Sequence, residues 1–247
     1  LYRSGGGTHG TLNIAGALEN SCNYFFYELG YRLGTKANGV FNDNLGLTNI
    51  AKYAALFGFE TGSGIELPEA EPQISNTDAA RSAIGQGTHN YTATQLAKYI
   101  TALANSGTCY DLSLVKEVKN INGDTVMESQ HKISNDINIS RDLWNIVHNG
   151  MRRVVTEHTS KSALINRINV AVAGKTGTAQ ENMKRPAHAL FVSYAPYDAP
   201  EVSVTVQIPF GYSSGNAEEL ASFIYAYLYD PTILDNENAS GNVNVSD

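Results

Sequence analysis

Three strand-like runs follow one another near the C-terminus, and they constrain the fold more than any other feature. They are "INVAVAGKTGTAQ" (168–180), "AHALFVSYAPY" (187–197) and "EVSVTVQIPF" (201–210), with turn material containing Pro200 between the last two, and the apolar-patterned helix "AEELASFIYAYLYD" follows. Alternating, β-branched and aromatic residues suit a half-buried pleated surface, and short turns between the runs allow only antiparallel neighbours. Helices before and after such a set predict an α+β domain, an antiparallel sheet covered by helices. With 247 residues, 42% hydrophobic and 17% charged, the chain has enough apolar material for a real core.

The segments before the sheet read as helices and one ribbon. "TLNIAGALENSCNYFFYELGYRLG" (11–34) carries helical spacing broken by "ENSCN", which predicts two helices joined by a short turn. "LTNIAKYAALFGF" predicts a further helix capped by Thr48 or Asn49 and ending near Gly58. Residues 60–90 read as loop, and Thr92 with Gln95 forms a capping box ahead of a helix stopped at Gly107. "LSLVKEVKNINGDTVMESQHK" alternates around Asn122-Gly123 and predicts a β-ribbon, after which Ser140 caps "SRDLWNIVHNGMRRVV". The tyrosines of "NYFFYELGY" and "FIYAYLY" read as helix faces packed on the core with hydroxyls at the rim. The last residues, 233–247, are polar and expected to be disordered.

Several functional classes are disfavoured. The balance of 17 basic against 24 acidic side chains, net −7, with no basic cluster longer than "MRRV" or "NMKRP", gives no phosphate-tracking surface, so no nucleic acid is expected. The six histidines are scattered without zinc spacing, His188 beside the strands reading as structural, and Cys22 and Cys109 form no metal or disulfide pattern. Neither a metal nor a cofactor is expected. No apolar run approaches a membrane-spanning length, and the start "LYRSGGGTHG", which has no signal-peptide pattern, is expected to lie partway through a larger protein.

Two constellations carry chemistry. In Lys175-Thr176-Gly177-Thr178, strand alternation puts Lys175 and Gly177 on one face and Thr176 and Thr178 on the other. A lysine, two hydroxyls and a side-chain-free position suit a carboxylate, and the N–H groups of an edge strand suit an extended peptide or an oxyanion. The same residues also fit the plain end of a strand and the start of a turn. The second constellation is Ser21-Cys22-Asn23, where a hydroxyl and an amide on a constrained turn can relay a proton and hold a peptide group. S-x-N recurs at Ser214-Gly215-Asn216, read as a turn and N-cap for the last helix, and at Ser240-Gly241-Asn242 in the tail. Only Ser21 is braced by helices on both sides.

Together these resemble the second and third motifs of penicillin-binding proteins and serine β-lactamases, whose first motif is S-x-x-K. The surrounding blocks "GGGTHGTLNIAGALENSCNYFFYELG", "AIGQGTHNYTATQLAKYITALANSG", "KTGTAQ" and "HALFVSYAPYDAPEVSVTVQI" resemble the transpeptidase domain of class B, monofunctional high-molecular-weight penicillin-binding proteins, over nearly the whole chain. The resemblance implies a peptidoglycan D,D-transpeptidase acting through a serine acyl-enzyme and inhibited by β-lactams. It implies that Lys175, Thr176 and Thr178 bind the carboxylate of a D-Ala-D-Ala stem peptide or a β-lactam, with Gly177 between them. The Thr178 N–H would serve the oxyanion, Ser21 the proton relay and Asn23 the substrate amide, while Gly85-Gln86-Gly87 would shape a loop near the cleft or be a flexible turn. A D,D-carboxypeptidase, a β-lactamase and a non-catalytic β-lactam or muropeptide sensor share the same motifs.

The family's S-x-x-K precedes S-x-N, and no such pattern lies before Ser21. Ser113-Leu114-Val115-Lys116 and Ser129-Gln130-His131-Lys132 fall in the ribbon, where residues three apart point to opposite faces. The nucleophile is therefore expected upstream, and 1–232 is expected to be the C-terminal part of the transpeptidase domain, with an incomplete sheet and no activity alone. The upstream segment, and the cell-wall elongation or division machinery, are the partners the family implies. Its place would be the extracytoplasmic face of the bacterial membrane, held by an N-terminal helix outside this chain.

Overall fold

The computed structural model describes residues 9–160, 163–181 and 184–234. In chain order its elements are α1 (Ile14–Glu19), α2 (Asn23–Leu33), α3 (Asp43–Leu56), α4 (Ala79–Ser82), α5 (Ala93–Ala104), β1 (Thr108–Tyr110), β2 (Glu117–Lys119), β3 (Thr125–Glu128), β4 (Ile133–Asp136), α6 (Arg141–Arg153), β5 (Ala173–Ala179), β6 (His188–Ala195), β7 (Val202–Ile208) and α7 (Ser214–Tyr229). A π-helical turn, Val154–His158, extends α6, and a 3-10 turn covers Leu164–Asn166. Two compact units result, one of residues 1–22 with 145–247 and one of residues 23–144. Helices with small antiparallel sheets make the α+β architecture expected from the sequence. Of the polar tail, residues 235–247 lie outside the described residues.

In the first unit β5, β6 and β7 form an antiparallel sheet in that order, with Lys175 opposite Val192 and Phe191 opposite Val206. Directly opposed residues share a face, so Ala189, Phe191 and Ser193 of β6 lie with Val204 and Val206 on one side. α7 covers that side with Ala217, Ala221, Tyr225 and Ala226, all fully buried, and the buried Tyr225 hydroxyl donates to Ser193 Oγ at 3.0 Å. Val155, Ile165, Ile168 and Val172 close the same core. The opposite face carries Tyr194, whose ring meets His148 of α6 edge-on at 5.7 Å. His188 opens β6 in a structural role, its Nδ1 accepting from the Phe210 N–H at 3.2 Å.

The second unit is built on helices. α2 and α3 approach α4 through glycines: a Cβ on Gly30 would fall 2.7 Å from the Ala79 carbonyl oxygen, and one on Gly46 2.6 Å from the Ala79 Cβ. The capping box opens α5, with the Thr92 N–H donating to Gln95 Oε1 at 2.9 Å and the Gln95 N–H to Thr92 Oγ1 at 3.2 Å. Thr92 Oγ1 also donates to Glu69 at 2.5 Å, beside Thr94 Oγ1 and the Ser63 N–H on the same carboxylate. Burial opposes the charge on Glu69, but these bonds outweigh it and hold the carboxyl down to about 2. β2 and β3 form the expected ribbon, Val118 facing Met127.

The structure departs from the sequence expectations at several places. α3 begins at Asp43, not near Thr48, because the Asn42 side chain accepts from the Leu45 N–H at 2.8 Å and supplies an earlier cap. α7 is capped by Ser213, whose Oγ accepts from the Gly215 N–H, so Ser214 is already helical. β1 and β4 pair outside the expected ribbon. The inward face of α5 includes Lys98, buried against Asp111 at 2.8 Å, where the apolar pattern alone gave no place for a charge. The tyrosines divide: Tyr225 is buried, but Tyr24, Tyr27, Tyr31 and Tyr227 are exposed.

Replacing Thr92 with Ala removes an N-cap and one donor to Glu69. The expected loss is about 1–2 kcal/mol, read as a lower midpoint with unchanged slope in urea unfolding of the full-length protein; an unchanged midpoint would show the cap to be dispensable.

Candidate active site

Ser21 and Lys175 meet within the first unit although 154 residues separate them: Lys175 Nζ donates to Ser21 Oγ at 2.5 Å and to the Thr176 carbonyl oxygen at 3.0 Å. How α1 ends accounts for Ser21. The Cys22 N–H bonds back to the Ala17 carbonyl at 3.0 Å and the Ser21 N–H to that of Leu18 at 3.2 Å. These are the two bonds of a Schellman stop, whose left-handed position normally belongs to glycine. Here Ser21 takes it, with φ 46°, which turns its hydroxyl outward while Cys22 packs inside, 2% exposed. A side chain in the left-handed region costs roughly 1–2 kcal/mol, so the turn carries strain at the residue that contacts Lys175.

Packing fixes the position of α1. Asn13 caps it by accepting from the Gly16 N–H at 2.9 Å, and Asn20 Nδ2 donates to the Gly16 carbonyl at 2.9 Å. α1 crosses α6 at Gly150, where an added Cβ would lie 3.0 Å from the Leu18 Cβ and 3.1 Å from the Ala15 Cα. Glu19 pairs with Arg153 and lies 3.6 Å from His158 Nε2.

Lys175 sits on β5, which among the described residues pairs only with β6 and so has a free edge. The register opposite Val192 and Phe191 puts Lys175 and Thr176 on opposite faces, as alternation predicts. Lys175 is half-buried and has the Ser21 hydroxyl and a backbone carbonyl as its hydrogen-bond partners; burial pushes its ammonium down to about 8. A Cβ on Gly177 would touch only Leu190, at 3.4 Å, so this position leaves the strand's surface open to a ligand. Thr178 is exposed beside it.

Thr176 and Ser21 together line a cavity of 360 Å³ with Glu19, His158, Thr159 and Glu218. Glu218 accepts from Thr159 Oγ1, and burial raises its carboxyl above the ordinary range. Sequence reasoning missed these lining residues, which share no motif and meet only through the fold. Asn23 opens α2 and is exposed, the first residue of the other unit. Gly85-Gln86-Gly87 also belongs to that unit, and the loop is pinned: a Cβ on Gly87 would fall 2.4 Å from Ser75 Oγ. His89 holds the same loop, Nδ1 accepting from the Ser75 N–H at 3.0 Å and Nε2 donating to the Ser82 carbonyl at 3.2 Å, and burial lowers its pKa. The chance S-x-x-K matches have other partners: Ser113 donates to Glu66, and Lys132 pairs with Asp111 at 2.8 Å.

A lysine of lowered pKa joined to a strained hydroxyl, beside an open strand edge, can attract an anion and pass a proton through oxygen. Among the described residues no group of three or more His, Cys, Asp or Glu is placed to hold a metal, and no helix is long and apolar enough to cross a membrane.

Comparison with known proteins points the same way. The family model described as penicillin binding protein transpeptidase domain matches residues 3–226. The chain is 29% identical to penicillin-binding protein 2A of Bacillus subtilis over 84% of its length, and 29% identical to the peptidoglycan D,D-transpeptidase MrdA of Haemophilus influenzae over 89%. These matches span 32% and 36% of the two relatives, so the chain corresponds to about a third of each. In structure it resembles penicillin-binding protein 2B of Streptococcus pneumoniae strain R6, with TM-score 0.74 and 25% identity, covering 89% of this chain and 40% of that one.

Two substitutions separate the local costs. Ser21→Gly is expected to stabilise the full-length protein by about 1 kcal/mol, because glycine takes the left-handed position freely and only part of that gain is lost to its greater unfolded-state freedom. Lys175→Met is expected to stabilise it at pH 7 by on the order of 1–2 kcal/mol, since it removes a desolvated charge at the cost of one hydrogen bond. The folded pKa lies below the free value, so native Lys175 disfavours folding fully below pH 8 and progressively less up to 10.5; the advantage of Met should fade across that window. Melting curves of both variants at pH 7 and 10.5 check these signs.

Proposed function

Because the chain belongs to the penicillin-binding protein transpeptidase domains, of the class B kind, we propose that the protein it forms part of is a serine-type D,D-transpeptidase cross-linking peptidoglycan stem peptides. The observation that carries this reading is the 2.5 Å contact between Lys175 Nζ and Ser21 Oγ. In it the S-x-N hydroxyl and the K-T-G ammonium meet as one proton-handling pair.

In this reading the nucleophile is the serine of an S-x-x-K lying outside residues 1–247, and residues 1–232 form the C-terminal part of the domain. That serine attacks the carbonyl carbon of the penultimate D-alanine, and its proton goes to the base beside it. The peptide C–N bond then breaks as Ser21 Oγ hands its proton to the departing D-alanine nitrogen and takes up in return the proton held by that base. Lys175 favours the transfer because a cation 2.5 Å away stabilises oxyanion character on Ser21. Lys175, Thr176 and Thr178 hold the substrate carboxylate, the open position at Gly177 lets the peptide approach the strand, and the Thr178 N–H stabilises the oxyanion. Asn23 holds the substrate amide. An amine of a neighbouring stem peptide attacks the acyl-enzyme, releasing the serine and forming the cross-link. A β-lactam enters the same path and stops at the acyl stage. The reaction places the protein at the extracytoplasmic face of the membrane, held by a helix outside this chain, with the elongation or division machinery as its partners.

Incubating the full-length protein with benzylpenicillin, then measuring intact mass and mapping peptides, is expected to find one adduct on an upstream S-x-x-K serine. The 247-residue chain alone should gain none. An adduct on Ser113 or Ser129, or acylation of the isolated chain, would displace this mechanism. The acylation rate should also fall as pH rises through about 8, where Lys175 loses the charge that attracts the carboxylate. The methyl ester of benzylpenicillin, which lacks that carboxylate, should react more slowly below about pH 8 and show a shallower decline, because only the assistance to Ser21 is then lost.

A further inference from the structure

We propose that the cavity beside Ser21 is the acceptor subsite of the cross-linking reaction, and that Glu218 receives there the ammonium group of the second stem peptide. The inference rests on the transpeptidase reading for its chemistry and goes beyond it in assigning the acceptor, on a residue outside every motif. All the residues that line the cavity belong to the first unit, so the arrangement depends on no contact with the other.

Reversibility fixes where the acceptor must arrive. The departing D-alanine nitrogen takes its proton from Ser21 Oγ, and attack by the acceptor amine is that step run backwards with a different amine. The incoming nitrogen therefore has to reach the same oxygen, through the space that D-alanine has vacated. No other part of the protein can fill that space without blocking the first half of the reaction. Ser21 and Thr176, the latter assigned to the substrate carboxylate, both line the 360 Å³ cavity. Pockets for small ligands run from about 300 to 1,000 Å³, so this one suits the aminoalkyl end of a single residue and not a sugar chain.

The charges around the cavity select a cation. Glu19 on its wall is already neutralised by Arg153, with His158 Nε2 3.6 Å away. Glu218 is different: it accepts from the neutral hydroxyl of Thr159, and among the described residues no cation lies within ion-pair distance of it. Lys175 points to the other face of β5 and is not part of the wall. A half-buried carboxylate with only a neutral donor is incompletely compensated, and its lost hydration strengthens its pull on an entering ammonium ion. Ser214 and Gly215, at the N-terminal end of α7, line the same cavity. The positive end of the helix dipole suits the carboxylate of the departing D-alanine, and Glu218 lies about one turn further along the helix.

Glu218 binds and orients the acceptor, and the proton transfers run through Ser21. The bound ammonium gives one proton to solvent and becomes the nucleophile. As its nitrogen bonds to the acyl carbon, a second proton passes to Ser21 Oγ, and the proton of Ser21 passes to the base beside the upstream serine. That base protonates the serine oxygen as its bond to the acyl carbon breaks, leaving one new amide and a free serine hydroxyl.

The test acylates the full-length protein with the benzoyl-D-alanyl thioester of mercaptoacetate and measures how the acyl group divides among water, methanol and an amine. Product ratios from one acyl-enzyme do not depend on how fast it forms. Nα-acetyl-L-lysine and meso-diaminopimelate serve as cationic acceptors, methanol as the uncharged one. In Glu218→Gln, which still accepts from Thr159, the preference for amine over methanol is expected to fall about tenfold through a raised acceptor KM, with the methanol-to-water ratio unchanged. Glu218→Asp keeps the charge and should retain more of the preference, whereas Thr159→Val frees the carboxylate from its tether and should lose part of it. Transfer to Nα-acetyl-L-lysine identifies a simple alkyl amine as the acceptor, and transfer to meso-diaminopimelate alone an amine beside a carboxylate; either is the alkylammonium group assigned to Glu218. An amine preference equal in wild type and Glu218→Gln overturns the proposal and leaves the transpeptidase reading in place. Equal loss of transfer to amine and to methanol also overturns it, because a general disturbance of the cavity would then account for the change. A wild-type acyl-enzyme that passes only to water overturns it in favour of a carboxypeptidase, and absence of any acyl-enzyme removes both readings.

Discussion

The contact between the small-residue face of α7 and the central strand β6 sets the positions of everything around Lys175. Ala217, Ala221 and Ala226 bring the helix close to the sheet, and Phe191 and Tyr225 fill what remains. Full burial of a ring such as Phe191 contributes roughly 2–3 kcal/mol of transfer free energy, and close packing makes the geometry specific. The polar atoms inside this contact are matched: Tyr225 donates to Ser193, and Ser193 donates to the Val204 carbonyl at 3.1 Å. Burial accordingly drives the Tyr225 hydroxyl pKa up, keeping it a neutral donor. β5 has only β6 beside it among the described residues, so Lys175 inherits its place from a core it does not enter.

Two local costs converge on the contact of Lys175 with Ser21. A lysine has lost part of its hydration, and a serine stands where the backbone prefers glycine. Neither cost has a purely structural purpose, since an apolar side chain and a glycine would each fit more comfortably. A desolvated ammonium acts on nearby charge more strongly than one in water, and a strained turn holds its hydroxyl in one direction. Unfavourable choices that coincide at one point, inside an otherwise well-satisfied unit, suit the proton-handling role proposed for this pair.

Much of this was legible from sequence, for reasons that differ by residue. The three C-terminal strands and the last helix were readable because sheet alternation and helical spacing both repeat locally. The Thr92 capping box was readable because both halves of the bond lie within four residues. The early start of α3 was hidden because the cap at Asn42 precedes a first turn interrupted by Gly46, a glycine that the close approach of Ala79 requires there. Ser21 and Lys175 could be named as candidates, but not their contact, which exists only once α1 and β5 are folded into one unit. Glu218, His158 and Thr159 left no sequence signal, since what makes them neighbours is the packing of α7 and the π-helical turn. The exposure of the α2 tyrosines inverted a sound expectation: spacing identifies a face but cannot say whether it points inward.

α1 shows how far the precision of such a site lies from its chemistry. A six-residue helix is too short to persist by propensity alone, because forming the first turn costs more than the few later bonds return. It is held by a side-chain cap at Asn13, a Schellman stop at Ser21 and the close crossing at Gly150. The crossing tolerates no added methyl without movement of Leu18, three residues before Ser21. A shift there would carry the Ser21 hydroxyl with it and change its hydrogen bond from Lys175. The position of the oxygen proposed to relay the proton is thus set by a glycine on another helix, a residue with no reactive group of its own.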